Sequence, residues 1–383
     1  MQKEICIVAF GYPTKDHPIL AFLQPLAHGM ADAGYRCSVI APQSVTNRFF
    51  RKSKKRPYRW IDRTAKGNAV TIFQPDYITL SRIRLFGFSI SAVSFNHAVM
   101  KCFRAEKMNP AVLYAHFWDS GIAACRIAQR HKIPVFVATG ESKIWVRDFF
   151  PQKVVERNLP LVKGVIAVSQ KNLDESENLK LLDHAPRTVV LPNAVDPRQF
   201  HKSSRSEARK ALNWPKNDTI AIFVGSFVER KGPRRVLEAA SRIPGLKLAF
   251  VGMGDDMPQS EQIVFCGTVP HEELVTYLNA ADFFILPTLA EGCCNAIIEA
   301  LACGLPVISS DRPFNDGILT DKNSIRIDPT SIDEIAGAME KVYRDDVLRA
   351  RLSEGALETT GRLKIDERVS RIIDFIENGI PLP

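Results

Sequence analysis

The sequence is defined first by what is missing. No apolar run approaches the roughly 20 residues needed to cross a bilayer, so a helical membrane span is not expected. The N-terminus, MQKEICIVAFGYP, lacks the basic lead and small-residue cleavage site of a signal peptide. A cytosolic location is therefore expected, with peripheral contact at the inner membrane face left open. The eight cysteines (Cys6, Cys37, Cys102, Cys125, Cys266, Cys293, Cys294 and Cys303) form no C-x-x-C pair and no metal-ligand spacing. They fall mostly inside apolar segments, where a thiol acts as a small hydrophobe, and are expected to be reduced. No two aspartates stand two positions apart, so a D-x-D metal triplet is missing, and no G-x-x-x-x-G-K-[ST] loop is present. Neither a low-complexity tract nor a repeat of 20–50 residues is visible, which excludes solenoids and propellers.

What is present is a globular composition, 45% hydrophobic and 24% charged, over 383 residues. That length suits two domains better than one core. Short β-rich runs alternate with helical stretches: EICIVAF, RCSVIAP, AVTIF, AVLYAH, PVFVAT, GVIAVS and TVVLPN in the first half, with helices expected over Leu20–Ala33, Phe88–Glu106 and Ser120–Arg130. The rhythm breaks in LPNAVDPRQF and restarts with TIAIFVG, KLAFVG, QIVFCG, DFFILPT and PVISSD. Parallel strands joined by helical crossovers give doubly wound sheets, so the chain reads as α/β with two Rossmann-like domains, 1–195 and 196–364. Folds of this kind bind ligands at the carboxyl ends of their strands, and two such domains are expected to face a central cleft.

The net charge of +9 is unevenly divided. Residues 1–195 hold 28 Lys+Arg against 14 Asp+Glu, and the rest 23 against 28, or +14 and −5. An anionic partner for the first half follows. The densest run is Arg48, Arg51, Lys52, Lys54, Lys55, Arg56 and Arg59, interleaved with Phe49, Phe50, Tyr58 and Trp60. Such a run suits docking on an acidic membrane surface, or forms a solvated loop. Nucleic acid is not expected, because no recognised binding motif accompanies the charge.

Two strand–loop–helix stretches in the second half carry chemistry. In GSFVERKGPRRVLEAA, a strand ends at Gly225 and a helix starts near Pro233, with Arg230 and Lys231 between them. Glycine lets backbone approach a phosphate, and the two adjacent cations match a diphosphate. In EGCCNAIIEALACGLPVISSD, Glu291 precedes a helix opening at Asn295–Ala296, whose free N–H groups suit an anion. Glu299 lies about 12 Å along the helix axis from a point eight residues earlier, so the two carboxylates must meet different parts of a ligand.

The E-x7-E spacing from Glu291 to Glu299, with GSFVERKG, FVGMGDD, FCGTVPHEEL and LPNAVDPRQF in the same order, resembles the family-four retaining glycosyltransferases of GT-B fold, also called glycosyl transferases group 1. The resemblance covers essentially the whole chain and is strongest over 190–312. It implies that Arg230 and Lys231 hold the donor diphosphate and stabilise the leaving group. Glu291 would then bind the transferred sugar, Glu299 the ribose, Thr268 and Val269 the base, and Asn295–Ala296 phosphate or sugar. No cofactor and no metal are expected, only a nucleotide diphosphate sugar as donor, UDP-sugars being favoured over GDP-sugars. Cys293 and Cys294 stand where the family varies, and no base near them supports a nucleophile.

The same resemblance places Gly11, in the turn FGYPTKDHP with Tyr12 and Lys15, near the donor phosphate, and His116, at the end of AVLYAH, near the transferred sugar. In VFVATGES, Thr139 stands where the family often has histidine, and Glu141 and Lys143 are candidates for the acceptor pocket. A glycan or lipid-linked acceptor in envelope polysaccharide or lipopolysaccharide synthesis fits the basic first half. Phe88–Glu106 could help dock it or be simply core. The segment 365–383, with Ile365, Val369, Ile372, Ile373 and Ile376 on one face, reads as a helix returning to the first domain. A catalytically inactive nucleotide-sugar-binding subunit and a UDP-sugar 2-epimerase of the same fold are the alternatives.

Overall fold

The computed structural model describes residues 3–14, 20–51, 54–80, 83–85, 87–184 and 187–378. Lys15, Lys52 and the last residues of the 365–383 segment lie outside them. The chain divides into two units, one running to Leu191 and resuming at Val369, the other spanning Pro192–Arg368.

In the first unit, strands β1 (Glu4–Val8), β2 (Arg36–Ile40), β3 (Arg59–Arg63), β4 (Ala69–Phe73), β5 (Val112–His116), β6 (Val135–Thr139), β7 (Val162–Ala167) and β8 (Thr188–Val190) make one sheet in the order β8-β7-β6-β5-β1-β2-β4-β3. All pairs are parallel except β3 with β4. β5 and β6 are buried along their whole length, as strands covered on both faces must be, and their runs are accordingly apolar. Helices α1 (Leu23–Asp32), α2 (Ile90–Ala105) and α3 (Trp118–His131) cover the sheet. The Ser89 hydroxyl caps α2 by accepting from Ala92 N. α2 buries Phe95, Asn96, Ala98, Val99, Cys102 and Phe103, so most of its apolar stripe is core.

The edge strand β3 was not expected from the basic run that contains its first residue. Its RWIDR pattern turns Trp60 and Asp62 partly inward and leaves Arg59, Ile61 and Arg63 exposed. Asp62 Oδ2 accepts from Tyr12 Oη at 2.7 Å and Gln24 Nε2 at 2.8 Å, and meets His28 Nε2 at 2.8 Å. The carboxyl is held down to about 2: burial alone would raise it, and the His28, Gln24 and Tyr12 hydrogen bonds outweigh that.

The second unit repeats the plan. β9 (Ile220–Val224), β10 (Lys247–Val251), β11 (Ile263–Gly267), β12 (Phe283–Leu286), β13 (Val307–Ser310) and β14 (Ser324–Ile327) form a parallel sheet in the order β11-β10-β9-β12-β13-β14. Helix α4 (Pro233–Ala240) starts with Pro233 at its first position after Gly232, whose φ of +82° favours glycine. Helix α5 is Asn295–Ala302. Val195 and Lys364 form a bridge within this unit, with Val195 N donating to Leu363 O at 2.9 Å and Ile365 N to Val195 O at 3.0 Å. That ladder holds residues 195 and 365 in the second unit and moves the divisions to 191/192 and 368/369.

The final helix, α6 (Ile365–Glu377), buries Ile365, Val369, Ile372, Phe375 and Ile376. Phe375 takes the buried place expected of Ile373, because its ring packs against Phe136 at 6.0 Å and under the Arg187 guanidinium at 4.5 Å. Lys3 Nζ and Tyr35 Oη both donate to Glu377 Oε1, at 2.7 and 2.6 Å, tying the helix end to the first unit.

Candidate functional site

Strand order reverses between β9 and β12 in the second unit, and the loops leaving such a reversal diverge to leave room for a ligand. Both charged stretches sit there. The chain leaving β9 passes Gly225 and forms a single turn over Glu229–Lys231 before α4. The chain leaving β12 runs through Thr288 to Glu291 and enters α5. Leu289 N donates to Arg230 O at 2.8 Å, stitching the two loops together. A side chain at Gly252, where β10 ends, would collide with the Gly225 carbonyl, so glycine there lets adjacent strand ends close up.

The two loops join their charges. Glu291 Oε1 accepts from Lys231 Nζ at 2.6 Å, Arg230 NH1 at 2.8 Å and Thr288 Oγ1 at 2.9 Å. Arg230 NH1 also donates to Ala290 O. The Lys231 and Glu291 side chains are 13% and 14% exposed and Arg230 41%, so the lysine–glutamate pair is the sheltered member. The Lys231 ammonium is raised: burial works against it, but the charge and hydrogen bond of the Glu291 carboxylate prevail. Cys294 is raised above the ordinary thiol by burial despite Lys231, and burial pushes Cys293 up to about 12. Neither sulfur is therefore a thiolate at neutral pH.

Helix α5 opens without a side-chain cap. Asn193, from the linker, fixes this helix start by donating from Nδ2 to Cys293 O at 3.1 Å and Asn295 Oδ1 at 2.8 Å. Further along, Glu299 Oε1 meets His271 Nε2 at 2.9 Å. His271 is raised, with burial opposing and Glu299 prevailing, and its other nitrogen lies 3.3 Å from Gln199 Nε2. Asn193, in LPNAVDPRQF, and His271, in FCGTVPHEEL, join the site although the sequence alone does not single them out. Their signal was an amide and an imidazole in otherwise apolar or turn-forming contexts. Thr268 and Val269 follow β11, the first exposed and the second half-buried. Among the described residues, no group of three or more His, Cys, Asp or Glu could hold a metal ion.

His116 and Gly11 belong to the first unit, at its own reversal between β1 and β5. Gly11 is buried beside Tyr12. His116 is 3% exposed, with Phe22 and Phe117 rings at 4.9 and 4.4 Å. Phe117 is strained, at φ 74° and ψ 154°, a region that belongs to glycine. The strain arises because Phe117 N still donates to Ala138 O at 2.7 Å as its carbonyl accepts from Gly121 N at 3.0 Å in α3.

Both Glu141 carboxylate oxygens have partners within the first unit. Oε1 accepts from Trp118 N at 3.0 Å, capping α3, and Oε2 from Thr139 Oγ1 at 2.6 Å and Gly140 N at 2.8 Å. Lys143 covers the Trp145 ring at 4.1 Å. The basic run is also partly engaged: Arg48 pairs with Asp76 at 2.7 Å, Arg59 lies 3.9 Å from Glu106, and Arg56 donates to Tyr12 O at 3.4 Å. What stands out on the segment Val45–Arg51 is apolar, Phe49 at 82% and Phe50 at 83% exposure.

Two α/β units, each with a mainly parallel sheet and a strand-order reversal, are the components of the GT-B architecture. Sucrose-phosphate synthase from Thermosynechococcus elongatus has this fold over 98% of the present chain and 99% of its own, with a TM-score of 0.78 at 18% identity. HepE of Anabaena, solved in complex with UDP and glucose, matches 98% of the chain and 100% of its own with a TM-score of 0.72 at 16% identity. Residues 204–359, most of the second unit, match the family described as glycosyl transferases group 1. TuaC of Bacillus subtilis (strain 168), a protein named as a teichuronic acid biosynthesis glycosyltransferase, is 29% identical over 272 residues, covering 68% of this chain and 69% of its own.

Proposed function

We propose that this chain is a metal-independent retaining glycosyltransferase that takes a hexose from a nucleotide diphosphate sugar and passes it to a glycan or lipid-linked acceptor. The observation that carries the reading is the Arg230–Lys231–Glu291 cluster at the β9/β12 reversal. Here two cations are held by one carboxylate. A diphosphate arriving at Gly225 and the start of α5 would take over both cations and release Glu291 for the sugar hydroxyls. As the glycosidic bond breaks, charge builds on the diphosphate, and fixed cations at a sheltered site stabilise that charge without a metal. Glu299, oriented by His271, would accept from the ribose hydroxyls, with the backbone of Thr268 and Val269 flanking the base. UDP is the favoured nucleotide, since HepE of the same fold was solved with UDP and glucose. His116 is assigned to the transferred sugar and Gly11 to the donor phosphate.

The likeness to TuaC, named for teichuronic acid biosynthesis, supports polysaccharide synthesis, and we assign the chain's work to the cytoplasmic face of a membrane. Phe49 and Phe50 would insert there, flanked by the basic run from Arg48 to Arg59.

Melting temperatures measured without metal across UDP- and GDP-sugars test the donor site. A UDP-sugar at 100 times its Kd should stabilise the native state by about 2.7 kcal/mol. Lys231→Ala and Glu299→Ala should each abolish the shift. A wild-type protein that shows no shift and no sugar transfer with any nucleotide sugar would refute the reading.

A further inference from the structure

A cavity of about 90 Å³ opens in the first unit. It lies where that unit's strand order reverses, between the chain leaving β1 at Phe10 and the first turn of α3 after β5. Its walls are the rings of Phe10, Tyr77, Phe95, Phe149 and Phe150, and the group set among them is the Asp119 carboxyl. Phe10 and Tyr77 pack on Phe95 at 4.8 and 5.6 Å, so the aromatic wall is preformed. Asp119 Oδ1 is sealed from solvent and has no hydrogen-bond partner among the described residues. The two serine hydroxyls of the wall are engaged: Ser89 accepts from Ala92 N at 3.4 Å and Ser91 from Leu80 N at 2.7 Å. The α3 N–H that a first-turn aspartate could have served is already capped by Glu141.

An unpartnered buried oxygen is costly, and evolution removes it cheaply by substitution unless something completes it. The chemistry of the completing group is constrained. None of the lining residues is cationic and Asp119 is an acid, so nothing in the wall would hold a phosphate or carboxylate. Five aromatic walls favour an apolar body. The geometry points to a binding site for an apolar group that carries a hydroxyl, seated on the rings and hydrogen-bonded to Asp119. On the glycosyltransferase reading, on which this assignment of the occupant rests, that group is part of the acceptor, and its diphosphate or other anionic part lies outside the cavity. Asp119 is then a specificity residue for the acceptor.

Benzyl alcohol and toluene, nearly equal in size and differing by the hydroxyl, are the probes, titrated into the full chain by saturation-transfer NMR. Benzyl alcohol should bind about tenfold tighter than toluene, the size of one well-made hydrogen bond. Asp119→Leu should erase that preference while keeping toluene, and Ala92→Leu, which fills the cavity from α2, should remove both. Benzyl alcohol that does not bind, binds no better than toluene, or survives Ala92→Leu overturns the proposal. The wild-type preference and Ala92→Leu decide the matter even if Asp119→Leu does not fold. UDP affinity, read on the same samples, reports the second unit separately. Loss of UDP binding with the benzyl alcohol preference intact would sink the donor assignment and leave the cavity as a binding site.

Discussion

The two strand-order reversals solve the burial of charge in opposite ways. At the second unit's reversal, one carboxylate gathers two cations and a hydroxyl, so the loops carry large charges that neutralise one another. At the first unit's reversal, Asp119 sits against aromatic rings with like charges as neighbours, and His116 is packed between Phe22 and Phe117. A neutralised cluster can exchange its internal partners for an anionic ligand at little cost in net charge. A lone carboxyl in an apolar wall gains by becoming neutral or by meeting a donor. The first arrangement suits a diphosphate and the second an uncharged, partly apolar molecule.

The largest expected effect breaks the balanced side. Lys231→Ala should lower the turnover of donor sugar by about 10²–10³, the usual loss when one fixed charge at a developing oxyanion is removed. It also leaves Glu291 sheltered with Arg230 and Thr288 alone. Glu291→Ala leaves the Lys231 ammonium sheltered without its carboxylate. The loss should fall below the cost of about 3–5 kcal/mol for a fully buried pair, since the two side chains are 13% and 14% exposed. Removing both should destabilise by less than the sum of the single changes, a coupling that urea unfolding of the four proteins would measure. Strict additivity would mean that the pair holds nothing together.

Asp119 offers the matching test in the first unit. Burial, with the charges of Glu141 and Asp148, pushes its carboxyl up to about 8. Asp148 itself lies 3.8 Å from Arg84. Unfolded, the same carboxyl titrates near about 4, so between those values the native state holds the extra proton. The stability it confers is complete below the unfolded value and is lost as pH rises toward the folded one, by about 1.4 kcal/mol for each pH unit in that window. Asp119→Asn should remove this slope. The difference in unfolding free energy between wild type and variant should move in favour of asparagine from pH 5 to pH 7, and a constant difference would show that Asp119 is charged in the native protein.

This contrast also governs what could be read in the sequence. Phosphate binding needs glycine, cations and free N–H groups within one strand–loop–helix stretch, so Gly225, Arg230, Lys231 and Glu291 announce themselves together. The parallel strands were equally plain, because covered strands are continuous apolar runs. The antiparallel edge β3 escaped notice, since its alternation of Arg59, Trp60, Ile61, Asp62 and Arg63 merges with the basic run before it. The cavity was illegible for a different reason. Phe10, Tyr77, Phe95 and Phe149 come from separate segments, and each alone looks like core. Asp119 stands three residues after His116, which drew attention to the histidine. The capping of Trp118 N by Glu141 is equally hidden, because the two residues meet only when β5 and β6 lie side by side.

The smallest effect is a matter of backbone alone. Phe117 holds a glycine-like conformation at the β5–α3 turn beside His116. A residue with a Cβ in such a region stores about 1–3 kcal/mol, which glycine does not. Phe117→Ala and Phe117→Gly lose the same ring and its stacking on His116, so their difference reports the backbone. The glycine variant should be the more stable of the two by about 1–2 kcal/mol, against the usual order in which glycine costs stability through chain entropy. Urea unfolding of the pair would decide it. An alanine variant as stable as the glycine one would mean that the turn relaxes once the ring is gone, and that His116 is placed by aromatic packing and not by a strained hinge.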